Sequence, residues 1–296
     1  MMNEQIADIM DDAQANPEKY TEVVGDVNAA PITKEELLAR VKQQSEKKIP
    51  DGVATQEVQV PSQGYFGGPS SVKIRRMTTK EEKIMFTATD ASYLADIVKS
   101  CIVSHDIDFH TLHENDLLYL LFAIRNFTFG NTYTQVHTCP YCGFKNNLTI
   151  DITALPVNYL DHNSVDTLRK VLLPDSKDVL ELNILTEGDV RDLNVDIDRA
   201  ILSGKITNTA EFTFDTRLSR TIGDLNGIPF ESPDKKKAYL DNLSLRDYNK
   251  LSNAADKIRN SFGMVRNTEF ICKSCKRTME VEALIAPEFF RPSDEA

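Results

Sequence analysis

Apolar and polar positions fall into recognisable periods from Ser71 onward. Val72, Ile74 and Met77 alternate with Lys73 and Arg75, predicting a short strand with its cations outward. Thr79-x-x-Glu82 reads as a capping box for a helix from Lys80 to about Ile102, whose buried stripe is Phe86, Tyr93, Leu94, Ile97 and Val98. A second helix opens at Asn115 or Asp116. Apolar residues run nearly all round its DLLYLLFAIRNF, which places it inside the core, and Gly130 ends it.

Two later segments share one grammar. In NTYTQVHTCPYCGFKNNLTIDI, strand-forming residues precede Cys139, and Leu148, Ile150 and Ile152 alternate after Cys142. GMVRNTEFICKSCKRTMEVEAL repeats the pattern around Cys272 and Cys275, with Met279, Val281 and Ala283 alternating. Each predicts a hairpin with a C-x2-C turn. The stretch between contains a helix around residues 164–171, a strand near VLELNIL, and Thr186-x-x-Asp189 opening a helix to about Leu202, with Gly204 after it. A strand pair around EFTFDTRLS, a turn at LNGIPF, and helices begun by Ser232-Pro233 and by Ser244 follow. In the last helix Leu245, Tyr248, Leu251, Ala255, Ile258 and Phe262 recur at three and four residues, marking one packed face.

Before Ser71 the periods fail. Pro50, Gly52, Pro61, Gly64, Gly67, Gly68 and Pro69 interrupt the chain, and only ITKEELLARVKQQSEKK, with Leu37, Leu38 and Val41, carries a helical pattern. The expected architecture is α+β: a helical core and a split four-cysteine zinc ribbon of two β-hairpins, with an inserted α/β subdomain and a weakly ordered N-terminal arm. The expected boundaries are 1–70 for the arm, 71–152 for the helical segment and first hairpin, 153–262 for the insertion, and 263–296 for the second hairpin and tail.

Composition refines this picture. The 296 residues are 41% hydrophobic and 27% charged, enough to build cores without covalent staples. The net charge is -11, and residues 1–30 supply -6 of it, seven acids against Lys19. Such a balance repels phosphate backbones at long range, and no concentrated basic patch stands out to offset it. The run Lys235, Lys236, Lys237 reads as a solvated helix face. No run of about 18 apolar residues exists, and MMNEQIADIMDDAQ lacks the regions of a signal peptide, so a soluble, intracellular protein without a membrane partner is expected.

The cysteines carry the most chemistry. Two C-x2-C turns offer four thiolates, the tetrahedral set of a structural Zn2+ site that leaves no position for water, so Cys139, Cys142, Cys272 and Cys275 are the expected metal ligands. Residues 143–271 separate the pairs, longer than the usual ribbon spacing. The sharpest rival is redox, because Cys139-Pro140-Tyr141-Cys142 is a glutaredoxin tetrapeptide. A catalytic dithiol needs its first cysteine at a helix N-terminus, whereas Gly143 and a strand follow here. His105, His110 and His113 lie near Asp106, Asp108 and Glu114, yet no i, i+4 pairing puts two on one helical face, and they read as exposed loop residues. His137 is a candidate donor to a ligand sulfur. Cys101 reads as a buried small hydrophobe. No phosphate loop, G-x-S-x-G or deaminase H-x-E occurs, so the chain reads as non-enzymatic and without a small-molecule substrate. The alternative class is a zinc-ribbon nucleic-acid-binding or transcription protein, with a CPYC dithiol oxidoreductase behind it.

HTCPYCGFKNNLTIDITALPV, a strand leading into ILTEGDV, a long insertion, ICKSC and the terminal PEFFRP follow one another in an order that resembles the baseplate hub subunit and hub assembly family of T4-like contractile-tailed bacteriophages. The likeness covers about residues 71–292. It implies that the four paired cysteines are metal ligands, that the partners are other phage tail and baseplate hub proteins, and that the chain works in the virion tail baseplate or in the host cytoplasm during assembly. Phe289 and Phe290, between Pro287 and Pro292, are then either docking anchors for a partner or a tuck of the C-terminus onto its own core.

Overall fold

A strand precedes the first one expected. Val58 and Val60 point inward along TQEVQV, and Thr55–Gln59 (β1) pairs antiparallel with Ser71–Arg75 (β2), Val58 opposite Val72. The expected boundary at residue 70 therefore falls inside a hairpin. Its Gly residues shape a folded connection, Gly64 (φ +77°) and Gly67 (φ +78°) taking left-handed backbone that a side chain resists. The computed structural model describes residues 53–87, 92–104, 107–204 and 209–291, so the expected arm helix, His105 and Pro292 lie outside the described residues.

The helix expected over 80–102 is two helices, α1 (Thr79–Thr87) and α2 (Tyr93–Cys101), with residues 88–91 outside the described set. The cap also lies one residue earlier than expected. Thr78 N–H donates to Glu81 Oε2 at 2.7 Å, and Lys80 N–H to Thr78 Oγ1 at 3.3 Å. Glu81 is drawn inward by Arg75, whose guanidinium reaches its two oxygens at 2.7 and 3.2 Å, and by the Ser100 hydroxyl. With Glu81 inward, Phe86 falls roughly 140° round the helix. It is 82% exposed, not part of a buried stripe. Arg75, expected outward, is mostly covered for the same reason.

Burial alone would raise the Glu81 carboxyl, but the Arg75, Ser100 and Thr78 donors hold it down at about 2, against an ordinary 4.5. A carboxyl with a depressed folded pKa stabilises fully above its unfolded value and loses that contribution as pH falls through the folded one. Between pH 4.5 and about 2 this pair is expected to give up about 3 kcal/mol. In urea titrations Glu81→Gln should lose that share of the acid decline; a variant declining as steeply as the parent would contradict the assignment.

The main core is organised by α3 (Glu114–Phe129), whose Leu120, Leu121, Phe122 and Ile124 are buried against Val72, Ile74, Ile97 and Val98. Gly130 closes it as expected, its N–H reaching Asn126 O at 2.9 Å. The first cysteine hairpin follows, β3 (Thr132–Thr138) with β4 (Lys145–Asp151). The C-terminal aromatics prove to be a tuck onto the chain's own core. The Phe289 ring lies 4.8 Å from Phe122 and 5.3 Å from Tyr133, and Phe290 is buried beside it. Arg125, itself buried on α3, donates from Nε to Phe289 O at 3.0 Å and from Nη2 to Thr132 O at 2.6 Å, and also to Gly130 O.

The inserted stretch leaves through β5 (Val157–Asn158) and returns through β10 (Gly263–Met264), which pair antiparallel. Val265 N–H to Pro156 O at 2.8 Å tightens this neck. Between them lie α4 (His162–Leu168), β6 (Lys170–Leu172), β7 (Val179–Leu182), α5 (Glu187–Leu202), α6 (Thr209–Thr221), β8 (Ile222–Leu225), β9 (Ile228–Pro229), α7 (Pro233–Asp241) and α8 (Leu245–Arg259). The four strands make an antiparallel sheet in chain order, and Val165, Leu173, Leu180, Leu182, Ile222, Leu251 and Ile258 form a core separate from the first. The Thr186/Asp189 capping box and the Ser232 and Ser244 caps are present.

EFTFDTRLS departs furthest from the pattern its sequence suggests. It belongs to α6, not to a strand pair. Alternating Phe and Thr mimic a strand, but in the helix the Thr213, Thr216 and Thr221 hydroxyls donate to carbonyls four residues back, and Leu218 supplies the buried contact. Arg220 and Arg217 then tie α6 to Asp196 of α5 and Glu114 of α3. Leu245, expected on the packed face of α8, is 76% exposed because it occupies the first turn, while Asp247 turns inward to accept the Asp175 and Ser176 N–H groups. The second cysteine hairpin, β11 (Asn267–Ile271) with β12 (Thr278–Glu282), completes the fold.

Candidate metal centre

Each cysteine turn is built the same way. In the first, Cys139 N–H donates to Phe144 O at 2.9 Å and Gly143 N–H to Cys139 O at 3.0 Å; in the second, Cys272 N–H donates to Arg277 O and Lys276 N–H to Cys272 O at the same two distances. Both turns pass through left-handed backbone at the same point, Gly143 at φ +72° and Lys276 at φ +62°. The neck and the base of the hairpins bring the turns face to face. Gln135 of β3 donates to Glu282 O at 2.9 Å and accepts from Leu284 N–H at 3.0 Å, joining the first hairpin to the end of the second.

At the tip the four sulfurs of Cys139, Cys142, Cys272 and Cys275 lie within 4.8 Å of one another. Across the hairpins Cys139 Sγ stands 3.8 Å from Cys275 Sγ, and Cys142 Sγ 3.7 Å from Cys272 Sγ. These four can hold a metal ion, and among the described residues no other group of three or more such side chains gathers in this way. Cys139 and Cys272 are buried with Leu148, Met279 and Val281, whereas Cys142 is exposed. Asn146 completes the arrangement. Fully buried, it donates from Nδ2 to Cys272 Sγ at 3.6 Å and accepts from Lys273 N–H at 2.9 Å, so one amide side chain of the first hairpin fixes the turn of the second. Its signal in the sequence was parity, since Asn146 is in phase with Leu148 and Ile150 on β4. His137, the candidate donor, is its cross-strand partner and makes no hydrogen bond to sulfur.

Backbone N–H groups of Cys275 and Ser274, with Asn146, outweigh burial and bring the Cys272 thiol down to about 6. At Cys275 the Arg277 N–H pulls downward, but burial and the neighbouring sulfurs prevail and push it up to about 11. Cys139 sits in a turn between two strands, without the helix N-terminus that a catalytic dithiol uses.

The remaining candidates disperse. His110 pairs with Glu187 at the start of α5, and His113 is buried at the N-cap of α3, its ring 6.1 Å edge-on from Phe262, not in an exposed loop. Cys101 is buried and its thiol pushed up to about 12, chiefly by that burial. Within the lysine run, Lys236 reaches inward to Ile222 O, and only its neighbours are exposed. No described helix is long and apolar enough to cross a membrane.

Neither curated proteins nor solved structures yield a match to this chain. A protein-family match, described as T4 bacteriophage base plate protein, covers residues 53–291. It begins well before Ser71, where the resemblance was first legible, and takes in the β1–β2 hairpin. Spanning every described helix, both cysteine hairpins and the docked Phe289, that match makes the chain a member of the T4 bacteriophage base plate protein family.

Proposed function

We propose that this chain is a non-enzymatic structural or assembly component of a phage tail baseplate hub, kept rigid by one zinc ion held by Cys139, Cys142, Cys272 and Cys275. The observation that carries this reading is the spacing of the sulfurs. Tetrahedral ligands about 2.3 Å from a zinc ion lie about 3.8 Å apart, and two of the cross-hairpin pairs stand at 3.8 and 3.7 Å, with all four sulfurs within 4.8 Å of one another. Thiolates are soft ligands that favour zinc over hard cations, and four of them leave no position for a water or a substrate. Bound there, zinc would supply a cross-link between two hairpins that belong to distant parts of the chain.

Membership of the baseplate family supports hub proteins as partners, and the tail baseplate, or the host cytoplasm during assembly, as the place of action. Two experiments test the proposal. Metal analysis of the purified chain is expected to find about one zinc per chain, and co-expression with the hub proteins of the same phage should give a stoichiometric complex. A metal-free chain that still enters the complex would remove the zinc from the proposal, and failure of the zinc-loaded chain to join any baseplate protein would remove the hub role.

A further inference from the structure

The sequence shows no basic patch, but the fold assembles one. Lys145 belongs to the first cysteine turn and Lys273, Lys276 and Arg277 to the second, and the two turns meet where Asn146 accepts from Lys273 N–H at 2.9 Å. All four cations are exposed, and no carboxylate lies between residues 137 and 147 or between 271 and 278. The first acids, Glu269 and Glu280, sit further down the second hairpin.

Several arginines elsewhere, Arg75, Arg169, Arg217, Arg220 and Arg266, meet carboxylates. At the tip none of the four does, and Arg277 lies instead 5.1 Å over the ring of Tyr141. Tyr141 and Phe144 are 56% and 44% exposed, so aromatic surface sits among the charges. A zinc tetrathiolate would carry two negative charges, fewer than the four cations around it.

Lys276 adds a second line of argument. Its backbone is left-handed at φ +62°, where the matching residue of the first turn is Gly143. Glycine would occupy that position without strain, so a lysine side chain is kept there at a conformational cost.

We propose that this tip is a docking surface for an acidic, aromatic- or aliphatic-bearing segment of another protein. The inference rests on reading the chain as a baseplate component that works through protein contacts. Four cations provide few phosphate contacts, and the remainder of a chain of net charge -11 repels a polyanion, which favours a local acidic segment over nucleic acid.

The test uses the full zinc-loaded chain with a fluorescein-labelled glutamate-rich peptide carrying phenylalanine, and oligothymidylate of matching charge as the second arm. The peptide is expected to bind with an affinity that falls as salt rises. Lys276→Gly should weaken that binding while raising the thermal midpoint by about 2 °C, as strain is relieved. The combined Lys145→Ser, Lys273→Ser, Lys276→Gly, Arg277→Ser variant should lose roughly tenfold or more, each exposed ion pair contributing a modest share. Zinc content and melting, measured on the same samples, report separately on the metal site. Tighter binding of oligothymidylate, no peptide binding, or equal binding by the combined variant each overturns the proposal.

Discussion

Serine in place of Cys272 and Cys275 is expected to abolish metal uptake and release both cysteine turns, while the helical core stays folded. The bases of the hairpins are anchored apart from the metal ligands. Tyr133, Ile150 and Ile152 lie in the main core, and Gln135 bridges to Glu282 and Leu284. Beyond them the tip has little more than Leu148, Met279, Val281 and the partly buried Phe270 as apolar support for the cysteines. Two short hairpins with so little covered surface are marginal without a cross-link. Zinc binding contributes on the order of 10 kcal/mol in small modules where ligation and folding coincide. Here the β5–β10 pairing has already overcome most of the roughly 4 kcal/mol needed to close so long a loop, so more of the binding free energy goes into ordering the tip. Amide exchange should rise sharply over residues 138–145 and 271–278 in the variant, or in the parent after chelation, and stay low over α3. Unchanged metal content with unchanged exchange would refute the proposed site.

Arg125→Ala is expected to destabilise the fold by about 4 kcal/mol, one of the largest effects available outside the cysteines. The guanidinium is fully buried and faces backbone carbonyls, Phe289 O, Thr132 O and Gly130 O, with no carboxylate among its partners. Burial lowers its pKa, with Tyr133 acting in the opposite sense. The rings of Tyr133 and Phe289 lie 5.5 and 5.9 Å from it, so the charge is held by carbonyl dipoles and ring faces together. Removing it takes the guanidinium donor from the buried Phe289 carbonyl and from the part-buried Thr132 and Gly130 carbonyls, and frees the C-terminal aromatics. Lysine should not rescue, because a single ammonium cannot reproduce the planar fork that reaches α3, β3 and the terminal turn at once. Since Arg125 and Phe289 act as one unit, Arg125→Ala and Phe289→Ala should be non-additive in urea unfolding. Strict additivity would show that the two are independent.

Short-range chemistry made much of this protein legible in its sequence. Thr186, Ser232 and Ser244 announce helix starts because a capping oxygen needs only the next three residues. The two cysteine turns, the alternation beyond them and the apolar girdle of α3 likewise depend on neighbours within one element. That is why an α+β chain with paired cysteines could be read from the order of residues.

The rest depended on contacts that no local period encodes. Period-two phenylalanines suggested strands in 209–221, but ion pairs to α5 and α3 and the buried Leu218 hold that segment as α6. Phe86 looked buried until Arg75 turned Glu81 inward and set the phase of α1. Phe289 could have served a partner as well as its own core, and a buried arginine far away in the chain decided for the core. Sequence alone determined which residues could bind an ion and form each turn. Only the tertiary structure decided that thiols from two distant turns converge, that Asn146 locks them, and that scattered lysines become one charged tip, because chain closure through the β5–β10 neck is a global event.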